Sequence, residues 1–113
     1  MKKQLAVEFG AGTDLRGEDA TKAARRAVAD ALHRNGLTVA DALGFPKEAM
    51  LVDIRVGVPG AASVDLASVA AAAPYGVVTV EAVEGGLRAP TATGATIIAN
   101  AVVSVSFDVE RAE

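Results

Sequence analysis

The sequence predicts an α+β domain, four strands and two helices in the order βαβαββ, stacked as a two-layer sandwich with the helices on one face of the sheet. Three observations carry that reading. Apolar residues alternate with a period of two in four stretches, as half-buried strands require. In two other stretches they recur at spacings of three and four, which marks a helix with one buried stripe. No linker, repeat or low-complexity tract interrupts the 113 residues, so 1–113 reads as one domain.

The first strand covers residues 4 to 9, with Leu5, Val7 and Phe9 on one face and Gln4, Ala6 and Glu8 on the other. Gly10-Ala11-Gly12-Thr13-Asp14 then breaks it and Gly17 extends the loop. So sharp a turn into a helix calls for positive φ at Gly10 or Gly12. Asp19 is placed to cap a helix running to about Arg34, because its carboxylate can accept from free first-turn amides. Ala20, Ala24, Ala27, Val28, Ala31 and Leu32 form the narrow apolar stripe, and Asn35-Gly36 ends the helix. Thr38-Val39-Ala40-Asp41 reads as a capping box for one short turn, stopped by Gly44.

Alternation returns at Met50, Val52, Ile54, Val56 and Val58, with Asp53 and Arg55 opposite, until Pro59-Gly60. Ser63 is placed to cap a second helix with an inner face of Leu66, Val69, Ala70 and Ala73, and Pro74 stops it. Val77 to Val83 is the third strand, with Thr79 and Glu81 on its polar side. Gly85-Gly86 turns it, Arg88 to Gly94 reads as a loop, and the last strand buries Ile97, Ala99, Ala101, Val103, Val105 and Phe107. The sheet face away from the helices is expected to carry Glu8, Asp53, Arg55 and Asn100 among small apolar residues.

Composition narrows the function. Alanine (25 residues) and valine (16) dominate a 51% hydrophobic chain with only four aromatics, so the core is thin. A thin core and a small-residue, mixed-polarity sheet face predict a homo-oligomer, a trimer or a multiple of one, with clefts where protomers meet. A net charge of −3 and a pI near 5.1 argue against nucleic acid or an anionic membrane as partner. The opening Met1-Lys2-Lys3-Gln4 has no apolar signal core and no stretch suits a membrane span, so a cytoplasmic location is expected. The absence of cysteine excludes disulfides, thiolate nucleophiles and cysteine-held zinc, and His33 has no second histidine beside which to hold a metal. No cofactor is predicted: the glycine run lacks both the dinucleotide spacing and the Gly-Lys-Ser of a phosphate loop.

Two glycine-containing segments remain as ligand candidates. Gly10, Gly12 and Asp14 precede a helix N-terminus, where backbone amides, helped by the dipole and by Lys22 or Arg16, can cradle an anion. Gly85 and Gly86 lie between Glu84 and Arg88, a carboxylate and a guanidinium suited to an amide-like ring. Glu8 with Asp14 can serve as paired carboxylates for proton transfer or for a divalent cation. Glu8, Lys22, Glu84 and Arg88 are therefore the candidate catalytic side chains, and Gly10, Gly12, Asp14, Gly85 and Gly86 the candidate ligand contacts. Mixed charge around open backbone suits a small polar metabolite better than a polyphosphate, and neither segment alone holds enough groups to orient one. The two are expected to meet.

The run Val7-Glu8-Phe9-Gly10-Ala11-Gly12-Thr13-Asp14 through Thr21-Lys22-Ala23-Ala24 resembles the opening of a small bacterial family of conserved hypothetical proteins of this size. Pro74-Tyr75-Gly76 and Val83-Glu84-Gly85-Gly86-Leu87-Arg88-Ala89-Pro90 resemble its second signature. More loosely, the strand, glycine loop, helix and late Gly-Gly turn are similar to the trimeric chorismate mutase-like fold, shared with reactive-imine deaminases. They are also similar to the repeat unit of cyanuric acid hydrolase and barbiturase. The latter resemblance implies a cyclic amide hydrolase as an alternative function, but its Ser-Lys pair has no counterpart: Glu84 stands before Gly85-Gly86, and Lys22 lies on the helix. A structural or regulatory oligomer without chemistry is the other alternative.

Overall fold

Helix against sheet is the organising contact, and the residues that permit it are the smallest in the chain. The computed structural model describes residues 1–35, 44 and 46–108; the expected turn at Thr38–Asp41 lies outside the described residues. Five strands and two helices follow in the order β1 (Lys2–Asp14), α1 (Ala20–Asn35), β2 (Leu51–Gly57), α2 (Leu66–Ala70), β3 (Val77–Val83), β4 (Leu87–Thr91) and β5 (Gly94–Asp108). Short 3-10 turns at Lys47–Ala49 and Ala61–Ser63 precede β2 and α2. The sheet order is β1-β5-β2-β3, with β4 also paired to β5. β5 runs antiparallel to β1, β2 and β4, and β2 and β3 are parallel. The carboxyl ends of β1, β2 and β3 therefore finish on one edge of the sheet, where β5 begins.

The mixed α+β class holds, with five strands rather than four. Arg88 to Gly94 is not a loop: Leu87–Thr91 pairs with β5 around a tight turn, Thr91 opposite Gly94. β1 also differs. It continues unbroken through the glycine run to Asp14, and neither Gly10 nor Gly12 has positive φ. Both face α1, and a Cβ at Gly10 would collide with the backbone of Ala27 and Ala31, and one at Gly12 with that of Ala23, Arg26 and Ala27. These glycines supply space, not unusual torsion. Across from them Ala23, Ala24, Ala27 and Ala31 are all fully buried, so helix backbone lies directly on strand backbone.

A register shift between Gln4 and Ala6 inverts the expected faces of β1. Beyond it Glu8, Gly10, Gly12 and Asp14 turn toward the helix, while Val7 and Phe9 lie on the open face, Phe9 64% exposed. Glu8 is buried at 8% on the helix side and does not belong to the open face. The β2 stripe from Met50 to Val58 and the odd positions of β5 from Ala95 to Phe107 are buried as expected, and Phe107 is the largest fully buried side chain. Asp65, not Ser63, caps α2: its side chain accepts from the Ser68 amide, while the Ser63 hydroxyl donates to the Gly60 carbonyl. Leu66 is half exposed in consequence, and Val69 alone anchors that helix as a fully buried residue.

Candidate functional site

At the strand-end edge four segments converge: the β1–α1 loop, the turn after β2, the β3–β4 turn and the start of β5. Each is fixed by a specific contact. Asp14, 5% exposed, accepts from the Asp19 amide at 2.8 Å and so closes the β1–α1 loop. Arg26 braces it, its Nη1 donating to the Thr13 carbonyl at 2.6 Å and lying 3.7 Å from Asp14 Oδ1. Asp19 accepts from the Lys22 amide and caps α1, as its position implied. Glu18, between these two acids, is the one described non-glycine residue with positive φ, at 50°. That conformation disfavours an L side chain by about 1–2 kcal/mol.

Glu18 reaches across to β4. Arg88 donates to its Oε1 from both Nη2, at 2.8 Å, and Nε, at 3.2 Å. Arg88 thus joins β4 to the β1–α1 loop within one chain, through Glu18 and not through Gly10, Gly12 or Asp14. On the other side, the Gly60 amide donates to Glu84 Oε2 at 3.0 Å, joining the turn after β2 to the β3–β4 turn. Gly86 makes that turn, with φ of 63° and a carbonyl of β5 where a Cβ would sit, and Gly85 passes close over Gly57. Arg88 and Glu84 are both exposed, and Leu15 and Leu87, at 64% and 57%, are exposed beside them.

The remaining predicted residues fall elsewhere. Glu8 and Asp14 lie on the same side of β1 but six residues apart, about 20 Å along an extended strand, so they do not form a carboxylate pair. No group of three or more metal-ligating side chains occurs among the described residues. Gly10 and Gly12 are roofed by α1 and present no open backbone on that side. Lys22 opens onto a groove between α1 and α2 that neither Glu84 nor Arg88 lines.

The open sheet face is the other surface with chemistry. Lys2 donates to Asp53 at 2.7 Å and the Thr79 hydroxyl to the same carboxylate at 2.6 Å. These bonds hold the Asp53 carboxyl below its ordinary value, the Lys2 bond being the largest influence and partial burial opposing it. Arg55 pairs with Glu81 at 3.0 Å. Around these pairs a shallow depression of about 560 Å³ runs beside Val102, which neighbours Phe9 across the β1–β5 ladder.

A family model described as "Conserved hypothetical protein (Lin0512_fam)" matches residues 4–105. A crystal structure of an FtsZ-like protein of unknown function from Nostoc punctiforme is similar throughout. It shares 32% identity over 94% of this chain and 96% of its own, with a TM-score of 0.84. No curated protein matches the chain. No described helix is long and apolar enough to cross a membrane.

Proposed function

The chain belongs to that family of conserved hypothetical proteins, and from its strand-end geometry we propose that it binds or transforms a small polar metabolite at a pocket completed between subunits. The Arg88–Glu18 fork carries this reading. A guanidinium whose partner sits on a strained, exposed loop can exchange that carboxylate for one on a ligand, or for an amide carbonyl, without leaving a buried charge unpaired. Glu84 offers an acceptor on the far side of the same edge, and the exposed leucines give an apolar rim.

Completion by another subunit is supported by the sheet. Only one face of the sheet carries helices. The other presents Phe9, Val7, Val102 and Val77, exposed at 38% or more, around ion pairs that are already neutralised. A trimer with its sheets facing inward, as in the chorismate mutase-like fold, is the assembly this reading favours. A cyclic amide hydrolase is less favoured, because Lys22 does not share the edge with Glu84 and no serine precedes Gly85.

A thermal-shift screen of polar metabolites, including cyclic imides and dicarboxylates, tests the proposal. A binder stabilises the folded state by mass action. The expected result is a hit whose shift disappears in Arg88→Ala and Glu84→Ala. Hits unaffected by both variants would place binding away from this edge, and no hit at all would favour the oligomer without chemistry.

A further inference from the structure

The groove between α1 and α2, about 620 Å³ in volume, is of ordinary size for a small-molecule site and has a local charge opposite to that of the whole chain. Lys22, Arg25 and Arg26 line it along one face of α1, against a single acid, Asp19. That acid is occupied: its carboxylate accepts from the Lys22 amide as the α1 cap. The nearby Asp65 is likewise engaged by the Ser68 amide, and the Asp65 amide donates to the Thr21 hydroxyl, locking the two helix starts together.

Of the three cations, Arg26 is tied to Thr13 and Asp14. Lys22 and Arg25 have no carboxylate partner among the described residues, although acids exceed bases by three in the chain. Lys2, Arg55 and Arg88, by contrast, each sit within 3.0 Å of an acid. Two unneutralised cations over a floor of Ala29, Ala71 and Ala72 suit a particular chemistry. The oxyanion end of a ligand meets the charges, and a short hydrocarbon body lies on the alanines.

We propose that this groove is an anion site for a small carboxylate- or phosphate-bearing metabolite, held by Lys22 and Arg25. It is separate from the strand-end pocket and does not depend on it, since neither Glu84 nor Arg88 lines the groove.

Backbone amide NMR titrations with inorganic phosphate and with citrate, each at fixed ionic strength, test this directly. The site predicts saturable shifts confined to Thr21, Lys22, Arg25, Ser68 and Ala72, at millimolar concentrations or below. Phosphate saturating more tightly would assign a phosphate ligand, and citrate a carboxylate one. In Lys22→Gln/Arg25→Gln the apparent affinity should fall by about tenfold or more, whereas Lys3→Gln, which removes a cation elsewhere, should leave it unchanged. Lys22 and Arg25 are exposed, so the double variant retains the fold, checked by its amide spectrum. Shifts that do not saturate, that chloride reproduces, or that persist in the double variant would overturn the proposal.

Discussion

Two glycine pairs, Gly10/Gly12 and Gly85/Gly86, look alike in sequence and do opposite work. The first lies inside an extended strand with ordinary torsions, and α1 backbone fills the space where side chains would be. The second makes a turn, where Gly86 needs left-handed torsion and Glu84 and Arg88 stand exposed on either side. A glycine needed for close packing closes a surface; a glycine needed for a turn can leave one open. Only the second pair therefore belongs to an exposed edge, and the first makes the helix–sheet contact beneath it.

That contrast can be broken by substitution. Gly12→Ala should be the most damaging single change, because two backbones must separate to admit the methyl; overpacking of this kind costs about 3 kcal/mol. Urea unfolding should show a lowered midpoint with an unchanged slope, and a loss below about 1 kcal/mol would mean that α1 does not sit on β1 as described. Gly86→Ala should cost about 2 kcal/mol from left-handed torsion and the approach to Ile98. Its ligand response should change as well as its stability, which Gly12→Ala does not require.

Arg88→Ala sharpens the comparison from the other side. Its ion pair is exposed, with side chains 54% and 40% accessible, and such pairs contribute about 0–1 kcal/mol. A double-mutant cycle with Glu18→Ala should return coupling in that range while ligand stabilisation is lost. A coupling well above it would make the pair a structural strut.

The smallest effect concerns Asp53. Its carboxyl is held below its ordinary value of 3.8 in the folded chain, so the folded state binds its proton less readily than the unfolded one. Its contribution is present above about pH 4 and disappears as pH falls below the ordinary value toward the depressed one. Asp53→Asn should flatten the acid limb of a stability–pH curve slightly. An unchanged limb would show that Lys2 and Thr79 do not hold the carboxylate in solution.

How much of this was legible in the sequence depends on the signal each element carries. The α1 stripe, the β2 face and the limits of β3 follow directly from periodicity, because burial is one-sided and uninterrupted there. β4 was hidden: it is five residues long, contains Pro90, and is exposed at four of its five positions, so no alternation marks it. β1 was misread for two reasons. The shift at Gln4/Ala6 reverses its faces in mid-strand, and glycine punctuates loops more often than it admits a neighbouring helix. In the site, Arg88 and Glu84 were visible as charges around a turn. Glu18 was not, since its partner lies 70 residues away, and no local pattern encodes that contact.

The claim that the strand-end pocket is completed between subunits is tested most directly by sedimentation equilibrium of the wild-type chain and Phe9→Glu at micromolar concentration. The open sheet face predicts a wild-type mass near three times 11.4 kDa, or a multiple of that, and dissociation when a charge replaces the exposed Phe9. A wild-type species of 11.4 kDa alone would contradict it.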